Sequence, residues 1–338
     1  MRVGFHPHKD KFQEDSEYIH QIIIPVYIPN QEGYFKDSFT IFKICIESLL
    51  STIHDKTFVS IVNNGSAAFI KDYLDILYND GKIHELIHTE NIGKLNAILK
   101  GLAGNSIKLV TISDSDVLFL PNWQSATYTI YNNFPKAGVV GIVPQFRMYG
   151  YYCSNIIFDT FFSNRLKFTK VKDVIGLEKF YQSIGWKDDY NKDYLKMNLT
   201  IENNSLEAIV GSGHFVATYK KELFDEIITH NGYKMGADSE SYLDKAPLKK
   251  GLWRLTTNKS YAFHLGNVYE NWMIEEFSNN KLESIKVNYL APQDKAKKVI
   301  FLVYYIKNQL FAKLFSKRKF KRFYYKIKGL PIQMVQNY

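Results

Sequence analysis

The chain has 338 residues with 46% apolar and 23% charged side chains, a balance that excludes disordered, collagen-like and simple coiled-coil proteins. Its two cysteines, Cys45 and Cys153, exclude a disulfide scaffold and a Cys-rich zinc module and fit a reducing compartment. The net charge of +9 is local: residues 295–338 hold 12 Lys/Arg and no Asp/Glu, which leaves 31 basic against 34 acidic residues elsewhere, a net of −3, so the pattern argues against nucleic-acid binding.

The first 145 residues alternate strand and helix signals. Ile22–Val26 predicts a buried strand, and Phe39, Phe42, Ile46, Leu49 and Leu50 recur at helical spacing. Phe58–Val62 predicts a second strand that ends in the turn cluster Asn63-Asn64-Gly65-Ser66, followed by a helix over Ala67–Asn79. Glu85–His88 is a short third strand, Ile92–Leu102 a helix, Leu109–Ile112 a fourth strand, Trp123–Phe134 a helix and Gly138–Val143 a fifth strand. Such alternation means βαβ units and a mostly parallel sheet covered on both faces.

Residues 146–205 lose this rhythm and are expected to be an insertion over the sheet edge. Ala208–Thr218 predicts a strand containing Gly211 and Gly213, followed by a helix over Lys221–Ile228. Asp238–Lys250 is helical and bent at Pro247, and Tyr261–Leu265 is a late strand. Residues 1–21 hold no apolar segment of the signal-peptide kind, and the longest apolar run, Val299–Ile306, is too short to span a bilayer. A cytoplasmic protein is therefore expected.

The sharpest chemical feature is the apolar strand Lys108–Ser113, which runs directly into Asp114-Ser115-Asp116. In open parallel sheets, ligands bind at the carboxyl ends of strands. Two acids one residue apart repel unless a cation or hydrogen bonds offset them, and a divalent metal bridging to a diphosphate would do so. Upstream, Asn91-Ile92-Gly93-Lys94 opens a helix: a glycine there leaves backbone N–H groups for an anion, and Lys94 adds charge. His264 closes the late strand beside Gly266-Asn267, and imidazole is a good ligand for Mn²⁺. Trp186, in the polar insertion, is the best placed tryptophan for sugar stacking.

In this order the pieces resemble the family 2 glycosyltransferases. The matching residues are Ile24-Pro25-Val26-Tyr27, Val62–Ser66, Asn91–Lys94, Asp114–Asp116 and, further on, Gly211–Phe224. The resemblance covers roughly residues 20–267 and not the tail. It implies an α/β GT-A fold, with a Rossmann-like, mostly parallel central sheet, helices on both faces and a basic C-terminal helical extension. The expected division is a glycosyltransferase domain over 1–292, with a nucleotide-binding half at about 20–145 and an acceptor-side half at about 146–292, and a tail over 293–338.

The resemblance also implies site roles. Pro25, Tyr27, Asn63 and Asn64 would hold the base and ribose of a nucleoside-diphosphate sugar, joined by Asn91, Lys94 and Ser115. Asp114 would sit near the ribose and metal, and Asp116 would ligate Mg²⁺ or Mn²⁺, with His264 as a further ligand. The family usually has an acid where Asn63 stands, and an amide carries no charge. UDP is the first choice of donor nucleotide, with GDP and dTDP as alternatives. A general base is implied in Gly236–Leu243, where Asp238 and Glu240 compete: Asp238 follows the small-residue pair, and Glu240 lies 11 positions before Gly251.

In the tail, Leu310, Phe311, Leu314 and Phe315 share one helical face, with Lys313 and Lys317 off it. That is the pattern of an interfacial helix, so residues 295–328 are expected to meet an anionic membrane surface on its cytoplasmic side. A membrane position implies a glycan or polyprenol-linked acceptor, as in bacterial surface polysaccharide assembly. The competing readings are a nucleotidyltransferase and a carbohydrate- or membrane-binding module that kept the fold without turnover. The first would want a Gly-rich, basic loop after the first strand, which Pro25–Gly33 does not supply.

Overall fold

The computed structural model describes residues 4–6, 8–11, 16–187, 189–226, 228–236, 238–279 and 296–338, with the side chains of 238–240 outside that set. The expected boundary at residue 292 lies outside the described residues.

Residues 20–145 follow the predicted alternation. β1 (His20–Val26), β2 (Thr57–Asn64), β3 (Glu85–Thr89) and β4 (Leu109–Ser113) are parallel and lie in the order β3-β2-β1-β4. α1 (Ser38–Thr52), α2 (Ala68–Asn79), α3 (Lys94–Leu102) and α4 (Trp123–Asn133) connect and flank them. Alternation along β1 explains the two covered faces. Ile22 and Ile24 pack with Phe42, Ile46 and Leu49 of α1 and Leu74 of α2, while Ile23 packs with Leu95, Ile98 and Leu102 of α3.

A short strand that the sequence does not announce, β5 (Val117–Phe119), follows the acid pair. β6 (Ala137–Gly141) then continues the large sheet. Residues 146–205 are more regular than expected. β7 (Leu166–Lys170) and β8 (Met197–Asn203) extend the sheet in its own plane, and α5 (Ser154–Asp159) and α6 (Val174–Ser183) accompany them. The single strand expected over Ala208–Thr218 is two, β9 (Leu206–Val210) and β10 (Val216–Lys220), divided where Gly211 takes a φ of +102°. The helix expected over Lys221–Ile228 is one 3₁₀ turn, Lys221–Phe224. α7 (Asp238–Lys245) passes into a 3₁₀ segment at Ala246–Lys250, where Pro247 removes a donor. β11 (Trp253–Thr256) completes the large sheet, in the order β3-β2-β1-β4-β10-β6-β11-β9-β8-β7. The late strand β12 (Ala262–His264) leaves it and pairs antiparallel with β5. α8 (Asn271–Asn279) follows.

The tail packs on the insertion. Phe315, Tyr324, Tyr325, Leu330, Met334, Val335 and Tyr338 are buried in one cluster with Tyr149, Leu199 and Ile201. The Lys328 carbonyl accepts the Phe168 N–H at 2.7 Å, and Asp159 receives Lys307, Lys136 and the Trp253 indole N–H. The expected apolar face is divided: Phe315 turns inward and Phe311 packs on Phe158 and Phe161, whereas Leu310 and Leu314 stay exposed. Among the described residues, no helix is long and apolar enough to cross a membrane.

A buried polar network closes the amino end of the sheet. His20 lies 2.7 Å from both Thr111 Oγ1 and Tyr128 Oη, and His54 Nε2 lies 2.7 Å from the same tyrosine oxygen. Burial holds His20 well below the usual histidine range, helped by His54, and it lowers His54 too. Below about pH 6.5 the unfolded chain therefore binds protons that the folded chain refuses. Stability should fall by about 1.4 kcal/mol per pH unit per histidine as pH drops through that window. Urea unfolding at pH 7.5, 6.5 and 5.5 measures the slope, and His20→Gln should flatten it.

Candidate active site

The carboxyl ends of β1, β2 and β4 stand side by side, and a cleft of about 530 Å³ opens over them. Each wall has a local cause. β4 is buried along its whole length, so the chain meets water first at Asp114. The Asp114 N–H donates to Phe215 at 2.7 Å, and the Asp116 carbonyl accepts from Leu265 at 2.8 Å. The acid pair is thus pinned from both sides.

The structure gathers most of the expected residues here. Pro25, Tyr27, Asn64, Asn91, Lys94, Asp114, Ser115 and Asp116 all line the cleft. Lys94 Nζ lies 2.5 Å from Asp114 Oδ1, which offsets one of the two acids. Asn64 Oδ1 accepts the Ile92 N–H at 2.9 Å and so ties the β2 tip to the start of α3.

Asn63 is the exception. Its side chain is not part of the cleft wall: Oδ1 accepts the Ser66 N–H at 2.9 Å and Nδ2 faces His88 Nδ1 at 3.0 Å. It shapes the turn after β2, a usual task for asparagine. The opening of α3 also differs from expectation. The Lys94 N–H donates to the Lys234 carbonyl at 2.8 Å and the Gly93 N–H to Asn91 Oδ1 at 3.2 Å, so these two donors are not left for an anion.

His264 lies behind Asp116. Pairing of β5 with β12 sets His264 opposite Val117, and its Nε2 comes 3.5 Å from Asp116 Oδ2 while Nδ1 meets Ser183 Oγ at 3.0 Å. Burial pushes the Asp116 carboxyl above the usual carboxylate range, and the His264 imidazole opposes that shift. Among the described residues, no three His, Cys, Asp or Glu side chains form a group able to hold an ion alone, so Asp114, Asp116 and His264 do not make a closed metal cage. Asp116 Oδ1 is nevertheless buried with no hydrogen-bond partner. An open site with an orphaned carboxylate oxygen suits Mg²⁺ or Mn²⁺, which bind through one or two carboxylates and complete their shell with phosphate oxygens and water.

Sequence reasoning missed part of the wall. Tyr34, Phe35, Lys234 and Met235 also line the cleft. Phe35 stands edge-on to Tyr27 with centroids 5.9 Å apart, and Asn96 exchanges hydrogen bonds with Asn231 to hold the loop that carries Lys234. The cue was the position of that loop immediately before the expected base. α7 begins at Asp238, three residues after Met235; the side chains of Asp238 and Glu240 lie outside the described residues. Trp186 is half-exposed and stacks on Tyr181, away from the cleft lining.

Gly93 is where backbone geometry is demanding. It has a φ of +91°, and a Cβ there would lie 2.7 Å from the Tyr233 carbonyl oxygen. Gly93→Ala should cost about 1–3 kcal/mol of stability and displace Lys94. Differential scanning calorimetry and a donor titration measure the two effects.

Residues 22–185, just under half of the chain, match the sequence model of Glycosyl transferase family 2. No curated protein matches the chain. Among solved structures, the chain is similar to S. aureus TarS 1-349 (13% identity, TM-score 0.43, 72% of this chain and 59% of that one). It is also similar to the mannosyltransferase PcManGT from Pyrobaculum calidifontis in complex with GDP-Man and Mn²⁺ (13% identity, TM-score 0.43, 94% and 76%) and to GalNAc-T7 with UDP, GalNAc and Mn²⁺ (10% identity, TM-score 0.44, 75% and 44%). The chain thus spans less than two thirds of the length of TarS 1-349, and at these scores nothing about its donor or metal follows from the likenesses. The family match falls on the strands and loops that build the cleft, from β1 through the acid pair and into the insertion, and over those residues the chain is similar to Glycosyl transferase family 2.

Proposed function

We propose that the chain is an inverting, metal-dependent transferase that moves a sugar from a nucleoside-diphosphate donor, UDP-linked by first choice, to a hydroxyl of a glycan or lipid-linked acceptor. The observation that carries this reading is the convergence of Asp114, Asp116 and Lys94 at the β4 tip with the aromatic wall of Tyr27 and Phe35 in one cleft. A flat base can stack on that wall. Asn64 and Asn91 offer amide groups to the ribose, and Lys94 brings positive charge to the diphosphate.

Asp116 and Asp114, with His264 behind Asp116, would hold a divalent cation, which when bound supplies Lewis-acid charge at the departing diphosphate. Lys94, ion-paired with Asp114, aligns that carboxylate. Asp238 or Glu240 would take the proton from the acceptor hydroxyl as it attacks, an effect of about 10²–10⁴-fold on rate. Attack from the face opposite the leaving group inverts the anomeric centre. Half-exposed or exposed Phe301, Leu302, Leu310 and Phe323 lie among the tail lysines, which supports a position on the cytoplasmic face of an anionic membrane and a role in surface polysaccharide synthesis.

Titration with UDP-, GDP- and dTDP-sugars, with and without Mn²⁺, tests the core of this reading. Metal-dependent binding and slow hydrolysis of one nucleotide class are expected; binding of none would sink it.

A further inference from the structure

A second polar cavity, of about 330 Å³, lies between the tail and the loop that follows β6. Arg147 from that loop and Arg318, Lys321 and Arg322 from the tail helix Arg318–Ile327 all reach it. Arg147, Lys321 and Arg322 are half-buried, and Arg318 is exposed. None of the four is in an ion pair with a described carboxylate. The Arg147 guanidinium is fixed in place: it donates to Tyr194 Oη at 2.9 Å and lies 5.5 Å from the centre of that ring. Ser316, Gln336 and Asn337 add polar groups to the wall.

Four like charges around one cavity repel each other, and the cost grows as they leave water. Lys321 registers it: burial and the neighbouring Arg147 both lower its proton affinity. An anion in the cavity would add an attraction to each of these cations and so offset their mutual repulsion. Arginine forks match the tetrahedral oxygens of a phosphate, which accepts paired N–H bonds from more than one guanidinium. A single planar carboxylate would satisfy fewer of these donors.

We infer that this cavity is a binding site for a phosphate group, from a lipid headgroup or from a soluble phosphorylated molecule, held by Arg147, Lys321 and Arg322 with Arg318 at its mouth. The site is separate from the donor cleft and does not depend on the reading of that cleft. Phe323 and Ile327, exposed on the same helix, are the apolar neighbours that a lipid source would use.

Two probes distinguish the sources, each applied to the full chain and to a Lys321→Gln/Arg322→Gln variant whose circular dichroism and melting temperature match the parent. Isothermal titration with pyrophosphate is done in metal-free buffer, where the acids of the donor cleft disfavour an anion. Sedimentation uses phosphatidylcholine vesicles with and without phosphatidic acid. The variant should bind about ten- to hundredfold more weakly than the parent. A loss seen with the phosphatidic acid vesicles identifies a headgroup, and a loss seen with pyrophosphate alone identifies a soluble phosphate. Equal binding by parent and variant to both probes, or no binding to either, overturns the proposal. Arg147→Lys, which keeps the charge but not the fork, should show an intermediate loss.

Discussion

Asp116→Asn is expected to lower kcat for sugar transfer by about a thousandfold. The substitution keeps the shape of the side chain and removes only its charge. It should not lower the melting temperature, because burial already disfavours the charged carboxyl and Oδ1 has no hydrogen-bond partner. Release of nucleoside diphosphate at saturating donor and Mn²⁺, together with a thermal melt, checks both halves. An undiminished rate would remove Asp116 from the chemistry. A melting temperature reduced by many degrees would mean that the carboxylate serves the fold instead.

The largest expected loss of stability comes from Asp244→Ala. Arg254 is almost fully buried, and its Nη2 lies 2.5 Å from Asp244 Oδ1. Nη1 donates to the Tyr151 carbonyl and Nη2 also to the Ser212 carbonyl. Removing the carboxylate strands a cation inside the protein, which costs about 3–5 kcal/mol. Urea denaturation measures this, and Arg254→Met placed in the same chain should restore part of it. Asp244 also sits in the last turn of α7, the helix that begins at Asp238. Transfer should therefore fall further than the lost stability accounts for, and assays well below the unfolding midpoint separate the two effects.

What the sequence reveals follows from what local pattern encodes. β1, β2 and β4 are buried on both faces, so each is a short apolar run, and the residue at which it meets polar chain is a residue of the cleft. Tyr27, Asn64 and Asp114, expected from the sequence at those strand ends, accordingly line the cleft. β5 and β12 are three residues each, too short for a period to register, and their pairing joins distant parts of the chain. The approach of His264 to Asp116 is a product of that pairing, so only the presence of His264 was readable. Asn63 misled because a turn cap and a ribose ligand ask for the same amide. The tail was legible only in part, for a related reason. Its helical amphipathic pattern shows that an apolar face will be covered, without saying whether lipid or protein covers it. Phe315 and Tyr324 face protein, while Phe323 does not.

The burial of Phe315, Tyr324, Tyr325 and Tyr338 against β7 and β8 has a bearing on how the molecule is made. The parallel half can assemble as soon as β4 has left the ribosome. The half that would receive the acceptor has to wait, its aromatic interior open to water, until residues 315–338 emerge and seal it. Newly made chains should therefore pass through a stage in which one half is finished and the other is sticky, and chaperones would find their purchase there.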